Sequence, residues 1–280
     1  EKEETRGGSC VFDENSARAG NGTSTSGSEN LAVGGNAYGG ALYCPFSEYS
    51  FSTNRVRFHR NTVAAGDGIL YYLPDTQPVS ATDGLSLGGA LCSGPALTYL
   101  LQNTVFTDNV IEDDNEGSDG SAWYTDSDAQ AQHITVLRSS GAPALASFAD
   151  LQLVNSLLFF NQDGHGLFQA EYCDIEGGWV GTGNFDADPL LDDDYHISEL
   201  SPCVDAGVAI AVDTDIDKEP RPYSTGYDVG ADEFGPPLPT PTPTMAFTAT
   251  PTPDPTPTPS TVTTRLVLPR NYFLPCDAFY

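Results

Sequence analysis

Lysine is almost missing from this chain of 280 residues. Only Lys2 and Lys218 occur, and methionine is reduced to Met245. With 39 Asp and Glu against 11 Lys and Arg, the formal net charge is −28. That balance excludes nucleic acid as a partner, because phosphate contacts need clustered cations. It equally opposes an anionic membrane surface. No run approaches the roughly 20 apolar residues of a membrane-spanning helix. Few segments keep a 3.6-residue apolar rhythm, so helices should be minor. The six cysteines, Cys10, Cys44, Cys92, Cys173, Cys203 and Cys276, contain no C-x-x-C pair, which speaks against a zinc centre. Their even number and the scarcity of lysine point to an oxidising, extracellular or cell-surface location. The start of the chain lacks the charged and apolar regions of a signal peptide and reads as a mature form.

Gly, Asn, Ser, Thr and Asp are abundant, and short apolar runs lie between them. This reads as many short strands joined by tight turns. A degenerate repeat runs through the body. One half is aromatic-x-x-Asn, at Phe58–Asn61 and Phe106–Asn109, with Leu158-Phe159-Phe160-Asn161 related. The other half is Gly before an apolar strand, as in Gly40-Ala41-Leu42-Tyr43, Gly68-Ile69-Leu70-Tyr71, Gly89-Ala90-Leu91-Cys92, Gly120-Ser121-Ala122-Trp123 and Gly166-Leu167-Phe168. The mean interval, about 25 residues, lies in the range of solenoid repeats. In a parallel β-solenoid each coil pairs with those above and below, and its corners need residues that tolerate positive φ. Asn at a repeated corner can stack its amides into a ladder. A β-sandwich would also supply short strands, but it gives no reason for Gly-apolar motifs at this period.

The stretch CDIEGGWVGTGNFDADPLLDDDYHISELSPCVDAG from Cys173, followed by TDIDKEPRP and YDVGADEF, is more specific. It resembles the C-terminal end of secreted parallel β-helix repeat proteins of the choice-of-anchor Q type. All five motif pieces of that family occur in order between Asp174 and Glu233, with Lys218 where the family usually has Gly. The resemblance implies an all-β fold: a right-handed parallel β-helix whose last coils and C-terminal cap end near Phe234. It implies secretion and a surface-associated life, but no reaction. The expected divisions are a cap or arm over 1–33, β-helix coils over 34–172 and last coils with cap over 173–235. A Pro/Thr-rich linker over 236–263 and an apolar docking segment over 264–280 follow. Because Cys173 and Cys203 both fall in the family-like cap, they are expected to form a disulfide. Cys10 and Cys276, near the termini, are candidates for pairing within or between chains. Cys44 and Cys92 read as two coils apart, beyond disulfide reach.

Candidate chemistry is sparse. Thr107-Asp108, Asp113-Asp114 and Gly164-His165-Gly166 resemble pieces of polygalacturonase-type hydrolases, whose paired carboxylates act as acid and base. Asp114 and His165 are two expected coils apart, and no Arg-x-Lys clamp follows, so no catalytic residue is assigned. Arg55, Arg57 and Arg60, with His59 between the last two, form a basic stripe read as ion-pairing within an acidic protein. Asp213, Asp215 and Asp217 resemble the opening of an EF-hand loop. Lys218 at the Gly position and Ser224 at the twelfth exclude that motif. A looser calcium (Ca2+) site on the three Asp is the one ion site read here, against an Asx-turn-rich cap; no cofactor is required. Asn21-Gly22-Thr23 is a formal glycosylation sequon.

The tail completes the reading. Residues 236–260 should extend as polyproline II at about 3.1 Å per residue, a reach of roughly 75–80 Å. Thr240, Thr242, Thr244, Thr256 and Thr258 are candidate O-glycosylation positions. At the far end Leu266, Val267, Leu268, Tyr272, Phe273 and Leu274 are apolar anchors for docking. The expected protein is therefore a non-enzymatic, secreted structural or adhesive β-helix, assembling into an extracellular or cell-surface filament through its tail. Its partners are then copies of itself, head to tail, or cell-surface and glycan components. A carbohydrate-active enzyme on acidic polysaccharide and a stalked glycan-binding adhesin are the alternatives.

Overall fold

The computed structural model describes residues 10–235, apart from short stretches at 25–30, 45–49, 71–79, 96–97, 114, 116, 163–165, 167 and 193–194. The apolar anchors, Cys276, the tail threonines, Asp114 and His165 lie outside the described residues. Among the described residues there is no helix. Eight strands form the main sheet: β1 (Cys10–Asp13), β2 (Phe51–His59), β3 (Tyr99–Thr107), β4 (Ala129–Leu137), β5 (Leu151–Val154), β6 (Leu157–Phe159), β7 (Gln169–Glu171) and β8 (Asp174–Ile175). Every pairing in it is parallel, in the order β1-β2-β3-β4, with β5 and β6 side by side on β4 and β7 and β8 on them. Leu42–Cys44, Leu91–Ser93, Trp123–Thr125 and Leu145–Ser147 stack into a second parallel sheet. Ser16–Arg18, Thr62–Ala64 and Val110–Ile111 form a third. Each passage of the chain thus lies on the one before, an arrangement compatible with an all-β parallel solenoid.

The interval between stacked residues is not uniform. Equivalent positions lie 46 residues apart at the first step, then 48, 30, 22 and 17. The expected interval of about 25 merged two kinds of glycine. Gly68 pairs with Gly22, whereas the Gly40 and Gly89 motifs stack in a different sheet of the same passages. The first passages carry extra strand pairs, such as Leu31–Val33 on Ser80–Thr82, and are therefore longer. Strands also begin within the expected N-terminal arm, at Cys10. Cys44 and Cys92 sit on adjacent passages, not two apart: Cys44 stacks on Ser93, and Cys92 on Tyr43.

Three ladders of left-handed residues turn the chain. In the first, Gly39, Gly88 and Gly120 have φ of 57°, 70° and 69°, and the following Gly40 and Gly89 approach backbone so closely that a Cβ would overlap a carbonyl oxygen. The second ladder is Glu14, Arg60, Asp108, Arg138 and Phe160, each with φ between 51° and 59°. The residue after each is the ladder Asn15, Asn61, Asn109, Ser139, Asn161. Asn61 Oδ1 accepts from Asn15 N and Nδ2, and Asn109 Oδ1 accepts from Asn61 N and Nδ2. The third ladder, Arg55, Asn103, His133, Asn155 and Tyr172, bends the main-sheet strands in mid-course.

That bend separates two environments. Before it, strand residues alternate: Tyr99 and Leu101 are buried while Leu100 and Gln102 reach the surface. Beyond it, both faces are buried, as in the run from Thr104 to Thr107. Inside, Phe12, Phe58 and Phe106 stack with centroids 5.0 and 4.9 Å apart. Such a buried ring contributes about 1.5–3 kcal/mol by burial. On the opposite face, Val105, Leu137, Leu157 and Phe159 pack against Tyr195, Ile197, Cys203, Ile216, Val229 and Ala231. The C-terminal segment therefore lies along the side of the sheet across several strands, and it does not simply follow the last one.

Candidate functional site

The family-like motifs meet in that C-terminal segment, and their charged groups are consumed there. Arg221 is fully buried, donates to Glu233 Oε2 at 2.8 Å and reaches the Gly230 carbonyl at 3.0 Å. Glu233 also accepts from the backbone N–H groups of Tyr223 and Asp228. Asp215 accepts from three, those of Asp217, Glu219 and Glu233. Asp228 accepts from those of Asp205 and Phe234. Burial pushes the carboxyls of Asp215 and Asp228 up to about 6. The segment is tied to the sheet through the third ladder and through Thr135 just beyond it. Asn155 pairs both ways with Val208, Asn103 donates to Thr214 O, and Thr135 Oγ1 accepts from Ala231 N. Sequences without helix or regular strand must satisfy buried backbone groups with side chains, and these carboxylates do so.

The three Asp proposed for calcium do not converge. Asp213 is exposed, Asp215 faces backbone N–H groups inside, and Asp217 pairs with His196 at 3.0 Å. Both Asp213 and Asp215 therefore drop out as ligands. The grouping that does form is His196, Asp217 and Asp232, with donor atoms within 4.8 Å of one another. Its contacts are those of an internal ion pair. Tyr195 donates to Asp217 Oδ2 at 3.1 Å, Ile197 N donates to Asp232, and the Arg57 guanidinium lies 4.4 Å from the Tyr195 ring. The Asp217 hydrogen bond raises the His196 imidazole above its usual value. Burial alone would raise Asp217, but the hydrogen bond and charge of His196, then Tyr195, bring it below the ordinary range. Burial pushes Asp232 up to about 7. A cation at this place would meet Arg57 nearby, so the donor set is a poor metal centre.

The hydrolase-like residues also serve the scaffold. Asp108 holds Arg138 through two hydrogen bonds of 2.8 and 3.0 Å. Asp113 accepts from Ala65 N, Ser86 Oγ and Ser118 Oγ, tying neighbouring passages together. Within the basic stripe, Arg60 pairs with Asp13 and Glu14. Asn21, of the sequon, is exposed and accepts from Asp67 N.

Cys173 and Cys203 are both free thiols, which corrects the expected disulfide. The reason is strand alternation. Cys173 faces the interior cluster, while its neighbour Asp174 faces the other side, where the Cys203 thiol donates to Asp174 Oδ2 at 3.3 Å. Burial pushes the Cys173 thiol up to about 12, so it is inert. Cys44 and Cys92 are free as well, and Cys10 is disulfide-bonded.

A surface remains that the sequence motifs did not indicate. Before the mid-strand bend, the outward positions of β3, β4, β5 and β7 carry Gln102, Gln130, Gln132, Gln152 and Gln169. Gln130, Gln152 and Gln169 stack in one row, and Gln102 donates to Gln132 at 2.8 Å in the next. The rows run into an open cleft of about 810 Å³, lined by Gln152, Gln169, Glu171, Phe168 and Trp179 among others. Phe168 and Trp179 stack with centroids 4.4 Å apart, and Trp179 Nε1 donates to Phe168 O. The signal for this face was present as Gln flanked by apolar residues, in Ala129-Gln130-Ala131-Gln132 and Leu151-Gln152-Leu153. Among the described residues no helix is long and apolar enough to cross a membrane. Comparison with family models, curated proteins and solved structures finds no match for this chain.

Proposed function

We propose that this chain is a secreted, non-enzymatic, right-handed parallel β-helix protein of structural or adhesive role, joined to copies of itself or to a cell surface through its tail. The observation that supports it is the use made of the motif carboxylates. Asp215, Asp228 and Glu233 point inward onto backbone N–H groups, where they hold a lid on the sheet and present nothing to a substrate. A net charge of −28 also repels the acidic polysaccharides an enzyme of this shape would take.

Assembly by adding a strand to the last edge of the main sheet is disfavoured. Tyr172 N donates to Thr182 O, while Asn184 bridges Ala170 O and Cys173 N, so the β7 edge is already engaged. In this reading the joining element is the apolar segment 264–280 at the end of the Pro/Thr-rich linker. Removing Thr264–Tyr280 is expected to abolish higher-order assembly, seen by electron microscopy and light scattering of native material. Undiminished assembly of the truncated chain would sink this reading.

A further inference from the structure

We propose that the glutamine rows and the Phe168–Trp179 cleft form a binding site for one chain of a neutral polysaccharide, laid along the stacking direction of the strands. This deepens the adhesive reading above and rests on it for the absence of cleavage, but not on the tail. Four observations carry it.

The first is chemical. A glutamine amide offers two donors and an acceptor, which suits sugar hydroxyls that both give and take hydrogen bonds. Gln130, Gln152 and Gln169 are exposed, in register on adjacent strands, and point the same way. The second is repetition: strands lie roughly 4.7–4.9 Å apart, so the same group recurs at a fixed short step, as a polymer of one sugar requires. The third is the end of the row. Trp179, half-buried against Phe168, supplies an aromatic surface in an open cleft, and the apolar face of a pyranose ring is its natural complement. The fourth is charge. The outward positions of these rows hold no Lys or Arg, and Glu171 is their one ionisable group. An anionic glycan would find no counter-charge here, and the strongly acidic chain would repel it.

The test uses the full-length protein in native affinity electrophoresis through gels containing soluble xylan, glucomannan or β-1,3-glucan, with polygalacturonate and alginate as acidic arms. Only two tryptophans exist, and Trp123 is fully buried, so Trp179 fluorescence reports the cleft directly. The expected result is retardation by at least one neutral polymer with a change in Trp179 emission and no new reducing ends. Trp179→Ala should weaken retardation about tenfold, while Trp179→Phe should keep most of it. Should Trp179→Ala fail to fold, the exposed pair Gln130→Ala and Gln152→Ala gives an independent reading, with weakened retardation again expected. Retardation by the acidic polymers alone, by none, or by neutral polymers equally in all variants would overturn the proposal. Light scattering on the same samples reports assembly separately. A protein that binds without assembling, or assembles without binding, therefore shows which of the two readings has failed.

Discussion

Ser139 interrupts a ladder that four asparagines otherwise fill. Each buried Asn in it accepts from the passage before and donates to a carbonyl, as Asn109 does to Phe58 O. Ser139 donates its backbone N–H to Asn161 Oδ1, but its buried hydroxyl has no partner. Ser139→Asn would place an amide where Asn109 and Asn161 can both use it. The preceding Arg138 already holds the left-handed φ of the other rungs, 54°. The variant should gain about 1 kcal/mol in urea unfolding, the net worth of one added hydrogen bond. A loss of stability would mean the site is too tightly packed for the extra atoms. Lys218 is likewise held in the left-handed region, at φ 71°. The ladder was legible because Asn61, Asn109 and Asn161 follow aromatic or apolar residues at fixed offsets. Asn15 carries the same signal in Phe12-Asp13-Glu14-Asn15.

The C-terminal segment behaves as one element because a buried polar cluster holds it. Arg221 is its centre, with Glu233 as direct partner and the carbonyls of Asp228 and Gly230 around it. Replacing Arg221 with Met leaves Glu233 buried without its counter-charge, a change that typically costs about 3–5 kcal/mol. The double variant Arg221→Met with Glu233→Gln should recover part of that loss, since glutamine needs no counter-charge. Urea denaturation followed at Trp179 would measure both. Equal stability of the single and double variants would show that the pair is not coupled. The motifs of this segment were recognisable as a pattern, but their use was not. Nothing in the spacing of Asp213, Asp215 and Asp217 reveals that Asp215 turns inward while Asp217 meets His196 from a distant stretch. That depends on which side of a turn each residue falls, and only the fold fixes it. The disulfide expectation failed for a related reason. Two cysteines of one segment were assigned to each other, but the sheet stands between their environments.

At the scale of the whole molecule, acid should stabilise this protein over a range in which many others lose stability. Burial raises Asp174, Asp215 and Asp228 to about 6 and Asp232 to about 7. An unfolded Asp titrates near ~3.9. Between about pH 4 and 7 the folded state therefore binds more protons than the unfolded one, and stability falls as pH rises through that window. The contribution is complete below the unfolded value and lost above about 7. His196, raised by Asp217, acts in the same direction: its contribution is present below its unfolded value and lost as pH rises through the folded one. Asp217 and His133 act oppositely. Asp217, being lowered, contributes above its unfolded value and loses that contribution in stronger acid. Buried His133, held well below its usual value by desolvation, costs stability as pH falls below about 6.5, where the unfolded imidazole takes up a proton. Four raised carboxyls and His196 outnumber these two down to about pH 5, and protonation also relieves the self-repulsion of a chain carrying −28. The thermal midpoint should thus climb steadily from pH 8 to pH 5. Added sodium chloride should raise it more at pH 8, where repulsion is greatest, than at pH 5. Calorimetry at both salt levels would decide the matter. A flat or falling midpoint from pH 8 to 5 would mean that the cap carboxylates are stabilised as anions by their N–H donors, and that burial is the weaker effect.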